Sequence, residues 1–257
     1  MPSLVGLGDV YKRQNDFLPD LDAIPEETAR RAKFIYINYP NNPTGAVATK
    51  AFYEKLVAWA KTYEVGVVSD LAYGALGYQG YENPSFLSTP GAKDVGIEFY
   101  TFSKTFNMAG WRLAFAAGND QMIEALNLIQ DHLFVGIFPA LQEAGIAALL
   151  NPNSEEAVAQ LNATYDSRRD AFVQAAAKIG WKAFPSKGSF YAWMPVPEGY
   201  TSESFADLLL EKVHVAVAPG KGFGPAGNAY VRIGLLVEPE RLVEAVDRIA
   251  NLHLFNN

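Results

Sequence analysis

The hydrophobic and polar positions of the chain follow two patterns, one typical of buried strands and one of amphipathic helices. Near residue 33 an almost continuous apolar run, KFIYINYP, predicts a buried strand. The segment 50–63 then places four large apolar residues on one helical face: Phe52, Leu56, Trp59 and Tyr63. A strand followed by an amphipathic helix is the first half of a βαβ unit.

The same alternation continues along the chain. The runs VGVVSD, IEFYTF and LAFAAG predict three more strands, and helices are expected over about 120–135 and 138–150. Strands separated by helices indicate a mostly parallel sheet. We therefore predict an α/β fold, a partial mostly parallel sheet flanked by helices.

A turn cluster, NPNS at 151–154, is the best internal boundary because it also offers a helix N-cap. After it we expect a long helix, the strand SFYAWMPV, a shorter helix, the strands VHVAVAP and AYVRIGLL, and a last helix that begins near Pro239. The prediction is a partial large domain over 15–150 and a smaller α+β domain over 151–257.

Residues 1–14, MPSLVGLGDVYKRQ, do not fit this pattern. Gly6 and Gly8 form a G-x-G, but Tyr11 stands where a dinucleotide fingerprint needs its third glycine, and no helical pattern follows. We expect residues 1–14 to be a disordered or non-native tail.

Composition narrows the function classes. The net charge of −7 predicts no general attraction to nucleic acid, and no apolar run reaches the length of a membrane span. The chain has no cysteine, which excludes disulfides and thiolate metal sites and fits a reducing cytoplasm. Its three histidines show no metal-ligand spacing, so no metal is predicted.

Polar side chains follow three of the predicted strands. Asn42 lies in the stiff turn NYPNNPTG, Asp70 ends VVSD, and Lys104 follows IEFYTF. Ligands of open α/β sheets bind at the carboxyl ends of parallel strands, where these three residues meet. Singly, each also has an ordinary explanation: a plain loop for Asn42, a helix N-cap for Asp70 and a solvated surface charge for Lys104.

Residues near these three extend the candidate site. A part-buried Asp70 needs a partner, such as a cationic ring nitrogen, and Tyr73 follows three residues later. A lysine becomes a nucleophile when burial and a nearby cation lower its pKa. Arg112 supplies that cation and a rigid fork for a phosphate or carboxylate, and two hydroxyls are of the kind that complete a phosphate site: Thr101 and Ser103.

The ordered motifs NNPTG, D-x-x-Y and S-K-T-x-N-x-x-G-W-R resemble the class I/II pyridoxal-phosphate aminotransferases of fold type I. The similarity runs from about residue 15 to the C-terminus. It includes GSFYAWMPVP and VAVAPGKGFGPAGNAYVRIG, which look like that family's small domain. The resemblance implies pyridoxal 5'-phosphate as cofactor, amino-group transfer from an L-amino acid to a 2-oxo acid, and a homodimer for the full-length protein.

The resemblance also implies a role for each site residue. Lys104 would bind the cofactor covalently and act as the catalytic base, and Asp70 would pair with its pyridine nitrogen. Asn42 and Tyr73 would contact the ring's phenolic oxygen. The phosphate would be held by Thr101, Ser103 and Arg112. Arg232, in YVRIG, would bind the substrate α-carboxylate.

The family's chain extends well upstream of residue 15, so we expect this sequence to be an N-terminally truncated fragment with an open sheet edge and exposed apolar surface. Diaminopimelate and methionine-salvage enzymes of bacteria look most similar. Two alternatives are considered: a carbon–sulfur β-lyase of the same fold, and, from a different functional class, the pyridoxal-phosphate-binding sensor domain of a transcriptional regulator. The second would need a basic DNA-binding module, and none is visible.

Overall fold

The computed structural model describes residues 16–133, 135–184 and 186–255. The predicted tail, residues 1–14, lies outside the described residues. The described part contains seven strands and nine α-helices. The strands are β1 (Phe34–Asn38), β2 (Gly66–Asp70), β3 (Gly96–Thr101), β4 (Ala114–Gly118), β5 (Tyr191–Pro195), β6 (Ala218–Pro219) and β7 (Tyr230–Gly234). The helices are α1 (Glu26–Arg31), α2 (Lys50–Tyr63), α3 (Ala92–Val95), α4 (Phe102–Thr105), α5 (Asp120–Leu133), α6 (Pro139–Leu150), α7 (Ser154–Lys178), α8 (Ser202–Val213) and α9 (Pro239–Ala250).

The first sheet has the order β1-β2-β3-β4. Strands β1, β2 and β3 are parallel, so their carboxyl ends lie at one edge, whereas β4 is antiparallel to β3. The predicted α/β class with a mostly parallel sheet is therefore confirmed. The segment 102–113 connects β3 to β4 and returns the chain beside β3 in the opposite direction.

One face of this sheet packs against α2. Ile35, Ile37 and Val67 point into the same core as Phe52 and Leu56 of that helix. The predicted helical face is confirmed for Phe52, Leu56 and Trp59, which are buried, while Tyr63 is only partly buried. Thr49 begins the helix by accepting a hydrogen bond of 3.1 Å from the Phe52 N–H.

The opposite face is less well covered. Phe34 and Tyr36, on alternate positions of β1, are 36% and 50% exposed. Beside them an apolar groove of about 410 Å³ runs between the sheet and Met122, Leu126 and Ile129 of α5. No residue of α5 is buried. The expected exposed apolar surface is present on this face and on α6.

The second sheet has the order β5-β7-β6 and is antiparallel. It packs with α7, α8 and α9 around its own core, which includes Trp181, Met194 and Phe205. The predicted strand VHVAVAP is shorter than expected, since only Ala218–Pro219 pairs with β7. His214 ends α8 in the left-handed region (φ 56°), which turns the chain away before the sheet begins.

Close backbone approach joins the two sheets. The Tyr78 N–H donates to the Lys187 carbonyl at 2.9 Å, and the Ser189 N–H donates to the Leu76 carbonyl at 3.2 Å. Gly188 permits this contact, because a Cβ there would lie 2.8 Å from the Leu76 carbonyl oxygen. The loop after β2 is thereby fixed against the start of β5.

None of the described helices is both long enough and apolar enough to cross a membrane. Within the same residues, no group of three or more histidine or acidic side chains is arranged to hold a metal ion.

Candidate active site

The ends of β1, β2 and β3 form the floor of the candidate site. Asn38 pairs in register with Asp70, and Asp70 pairs with Phe99. The Asn38 amide donates to the Asp70 carbonyl at 2.9 Å, and its Oδ1 accepts from the Asn42 N–H at 2.8 Å. Asn38, which the sequence interpretation did not single out, therefore fixes the loop that carries Asn42.

Asp70 ends β2 without starting a helix. Its Oδ1 accepts a hydrogen bond of 3.1 Å from the Ala72 N–H, which forms a tight turn, so the N-cap interpretation is wrong. Asp70 is more exposed to solvent than the part-buried position that we expected. It has no cationic partner among the described residues. Loss of surrounding water still raises the pKa of the Asp70 carboxyl, and the Ala72 N–H offsets part of that rise.

Tyr73 lies under the site in an aromatic cluster. Its ring is 5.3 Å from Phe190 and 6.0 Å from Tyr191, both near the start of β5. Burial raises the pKa of the Tyr73 hydroxyl, and the adjacent Tyr191 hydroxyl and Asp70 carboxylate raise it further. Tyr73 therefore stays protonated at neutral pH and is able to donate a hydrogen bond.

Lys104 lies on α4, the short helix after β3. It is half-buried, and its Nζ is 5.3 Å from the centre of the Phe190 ring. Phe190 thus contacts the amine of Lys104 and the ring of Tyr73 at once. Sequence interpretation missed Phe190 and Tyr191, although their segment, GSFYAWMPVP, was noted. The only signal was a pair of aromatic residues at a strand start.

The remaining residues of the predicted phosphate site surround α4. Thr101 caps this helix, since its Oγ1 accepts from the Ser103 N–H at 3.2 Å and donates to the Leu113 carbonyl at 3.4 Å. Arg112 is exposed, has a positive φ of 53° and donates from Nη1 to the Ala109 carbonyl at 3.1 Å. These positions leave the role of Thr101, Ser103 and Arg112 in phosphate binding a prediction.

Arg232 reaches the crevice from the second sheet. Its Nη1 donates a hydrogen bond of 2.7 Å to the Oδ1 of Asn42. The structure thus joins Asn42 and Arg232 by direct contact. Tyr191 links Arg232 to the Tyr73 and Phe190 cluster, since the guanidinium carbon lies 4.3 Å from the Tyr191 ring centre.

Two cations of the crevice have no carboxylate partner among the residues that the structure describes. Five lysines and arginines of the described residues are half-buried, and three of them, Arg168, Arg169 and Arg248, have carboxylate partners. Lys104 and Arg232 have none among the described residues. Because a half-buried cation is stabilised most by a nearby anion, these two mark a candidate site for a ligand with acidic groups.

The donor set suits pyridoxal 5'-phosphate. That molecule has an aldehyde, a phosphate, a phenolic oxygen and a pyridine nitrogen. The crevice offers an amine at Lys104, a carboxylate at Asp70 that lacks a cation, and a protonated hydroxyl at Tyr73. The aldehyde, the pyridine nitrogen and the phenolic oxygen thus each have a partner of a suitable chemical type, while the phosphate contacts stay a prediction.

Comparison with known proteins agrees with these observations. The family model described as aminotransferase class I and II matches residues 9–249. The L-glutamine--4-(methylsulfanyl)-2-oxobutanoate aminotransferase of Bacillus subtilis is 57% identical over 93% of this chain and 60% of its own length. The LL-diaminopimelate aminotransferase of Moorella thermoacetica is 50% identical over 91% of this chain and 60% of its own.

The chain is also similar in structure to a solved protein. Substrate-bound BacF from Bacillus subtilis superposes with a TM-score of 0.90 and 46% identity, over 95% of this chain and 62% of that one. The chain spans about 60% of the length of these curated relatives. The names of these relatives give no support to the β-lyase or the regulatory sensor domain.

Proposed function

Because this chain belongs to the class I and II aminotransferases, we propose that the protein carrying it transfers an amino group from an L-amino acid to a 2-oxo acid. Members of this family are pyridoxal-phosphate-dependent. The observation that carries the proposal is a pair of half-buried cations, Lys104 on α4 and Arg232 on β7, which have no carboxylate partner among the described residues. They lie against the aromatic side chains of Phe190 and Tyr191, respectively.

Each side chain has a task in this proposal. Bound pyridoxal phosphate supplies an electron-withdrawing ring that stabilises negative charge at the substrate Cα. Lys104 would hold the cofactor through its Nζ, and as a free amine it would carry the proton from the substrate Cα to the cofactor carbon that receives the amino group. Asp70 would pair with the ring nitrogen of the cofactor and keep that nitrogen positively charged.

The other residues of the site would bind and orient the cofactor and the substrate. Asn42 and Tyr73 donate to the phenolic oxygen, and the predicted phosphate contacts come from Thr101, Ser103 and Arg112. Arg232 binds the α-carboxylate, for which a guanidinium fork is suited. Its Nη1 already donates to Asn42, so the carboxylate anchor is fixed relative to the loop that contacts the ring.

The substrates we propose come from the relatives. Those at 57% and 50% identity are named for glutamine with 4-(methylsulfanyl)-2-oxobutanoate and for LL-diaminopimelate. Both donor amino acids should be assayed. Release of a 2-oxo acid with the amino group retained for a second oxo acid indicates transfer, whereas release of ammonia and pyruvate would indicate a β-lyase.

The proposal also covers organisation and location. We place a large domain over 15–150 and a small domain over 151–257, supported by the two separate sheets and their cores. A homodimer and a cytoplasmic location are proposed for the whole protein. The absence of cysteine supports the location.

The test is covalent trapping. The protein carrying this chain is loaded with pyridoxal phosphate, reduced with borohydride and digested, and the modified lysine is found by mass spectrometry. We expect the adduct on Lys104 and its loss in Lys104→Ala. Lys187→Ala is the matched control, because Lys187 is exposed and lies over Tyr81. An adduct on another lysine, or none, would contradict the proposal.

A further inference from the structure

The guanidinium of Arg232 lies against two aromatic rings. Its central carbon is 4.3 Å from the ring centre of Tyr191 and 4.7 Å from that of Phe223. Tyr191 begins β5, and Phe223 ends the 3₁₀ helix Gly220–Phe223 that precedes β7. The two rings therefore reach the same cation from different elements, and we call them the aromatic pair.

Each ring of the aromatic pair is held by further aromatic contacts. Tyr191 packs against Tyr73 at 6.0 Å and against Phe190 at 4.8 Å between ring centres. Phe223 meets Trp193 at 6.0 Å. The indole of Trp193 is in turn stacked on Tyr230, at 5.2 Å. Rotation of either ring would therefore require the neighbouring aromatic side chains to move.

A close backbone approach also fixes the position of Phe223. A Cβ at Gly220 would lie 2.1 Å from the Gly227 carbonyl oxygen and 2.4 Å from that of Tyr230, so the 3₁₀ helix is pressed against the start of β7. The loop that carries Phe223 thus has a defined place relative to Arg232. This packing fixes the contact between the Phe223 ring and the Arg232 guanidinium.

The contacts leave most of the guanidinium available. An arginine has five N–H donors, and the Nη1 of Arg232 donates to Asn42. Aromatic faces attract the cation by its charge and by stacking, but they do not use its in-plane N–H groups as a carboxylate would. No carboxylate of the described residues pairs with Arg232. The planar fork is therefore oriented while its remaining donors stay open.

We propose that Tyr191 and Phe223 are positioning residues, which hold the plane of Arg232 so that its free edge receives the α-carboxylate of the substrate. This inference rests on the proposed function and adds a determinant of substrate affinity. The rings act through Arg232, so removing either should weaken carboxylate binding and leave the attachment of cofactor to Lys104 unchanged.

The experiment uses the protein carrying this chain, loaded with pyridoxal phosphate. Tyr191→Leu and Phe223→Leu remove one ring each and keep an apolar side chain of moderate size. Tyr191→Phe restores the ring without the hydroxyl. Tyr200→Leu is the matched control, because Tyr200 packs on Phe205 in the second core, away from Arg232. Readouts are KM, kcat, the Kd of propionate by calorimetry, and the borohydride adduct.

We expect each leucine variant to raise KM and the propionate Kd about tenfold, within the range measured for cation–π contacts. The kcat and the Lys104 adduct should change little, and Tyr191→Phe should recover the affinity. A fall in kcat with unchanged Kd would overturn the inference, as would equal effects from Tyr200→Leu. Absence of the adduct in the unaltered protein would instead contradict the proposed function, so the two failures are distinguishable.

Discussion

Arg232 and Asn42 are 190 positions apart in the chain, yet the Arg232 Nη1 donates a hydrogen bond of 2.7 Å to the Asn42 Oδ1. Asn42 is in turn fixed by its own N–H, which donates to Asn38. One continuous line of hydrogen bonds thus runs from the end of β1 to the middle of β7. The residue predicted to bind the substrate is therefore attached to the loop predicted to bind the cofactor.

These hydrogen bonds predict that substitutions at Arg232 and at Asn42 affect substrate use and cofactor retention differently. Arg232→Lys should lower kcat/KM for the amino acid by about 10²-fold, because a lysine cannot bind a carboxylate with two parallel N–H groups or contact Asn42 in the same way. Cofactor retention should be unchanged. Asn42→Ala should lower both kcat/KM and cofactor retention, because in the proposal Asn42 contacts the cofactor ring and also accepts the hydrogen bond that holds Arg232.

Steady-state kinetics and the absorbance of bound cofactor after gel filtration measure the two properties. If Arg232→Lys loses cofactor as readily as Asn42→Ala does, the assignment of Arg232 to the substrate is wrong.

A second prediction concerns the contact between the sheets. Gly188→Ala would place a Cβ 2.7 Å from the Cγ of Pro40 and 2.8 Å from the Leu76 carbonyl oxygen. Because backbone must move to accommodate it, we expect a loss of about 1–3 kcal/mol in the free energy of unfolding. The start of β5 should shift with it, so KM should also rise. Urea unfolding and kinetics measure these effects.

Gly199→Ala is a partial control for Gly188→Ala, since a Cβ there meets no atom within 4 Å, although its φ of 87° adds strain. Gly222→Ala is a cleaner control because it has open space and no positive φ. Equal losses at Gly188 and Gly222 would contradict the packing argument.

A third prediction concerns Glu98, a buried carboxylate of β3 that forms no salt bridge with the described residues. It accepts hydrogen bonds from the Ser69 Oγ at 3.0 Å, the Ser85 Oγ at 2.5 Å and the Phe86 N–H at 2.8 Å. Glu98→Leu would leave three donors unpaired, and we expect a cost of about 3–5 kcal/mol in unfolding free energy.

Glu98→Gln keeps one acceptor oxygen and should cost less, about 1–2 kcal/mol. Chemical denaturation compares both with Glu82→Leu and Glu82→Gln, substitutions at an exposed position. A loss below about 1 kcal/mol for Glu98→Leu would show that the three hydrogen bonds contribute little.

A fourth prediction concerns alkaline pH. Burial raises the pKa of Tyr53 above its ordinary value of 10.0, and the nearby charge of Glu98 raises it further. Because the folded protein keeps this proton where the unfolded chain releases it, its contribution to stability is complete below pH 10 and is lost as the pH rises through the folded pKa. The loss should approach about 1.4 kcal/mol per pH unit.

Urea unfolding at several values of pH above 10 measures that slope. Tyr53→Phe should make it less steep, and Tyr36→Phe, at a residue 50% exposed, provides the control. An unchanged slope in Tyr53→Phe would contradict the prediction.

The local pattern of apolar and polar residues was sufficient to predict most of the helices and strands. KFIYINYP gave β1, and the apolar spacing of 50–63 gave α2 with its bounds, because burial of one face repeats with the period of the element. The meeting of Asn42, Asp70 and Lys104 at one edge also followed from local order, since parallel strands bring their carboxyl ends together.

Long-range contacts could not be predicted in this way. Nothing in the periodicity of β5 indicates that Phe190 lies over the amine of Lys104, or that Tyr191 and Phe223 flank Arg232. Those contacts depend on how the two sheets pack, which is decided by backbone approach at Gly188. The helix N-cap considered as an alternative for Asp70 was wrong, because Asp accepts from a nearby N–H equally well in a helix cap and in a turn.

The antiparallel return of β4 has a mechanical consequence. Thr101 pairs with Ala114, and the Phe102 N–H donates to the Leu113 carbonyl at 3.2 Å, so the segment between them is a loop clamped at its base. Lys104 and Arg112 both lie in it, whereas Arg232 belongs to the other sheet. Any movement of one sheet relative to the other would carry Lys104 and Arg112, the predicted phosphate ligand, together, and would change the distance from them to Arg232.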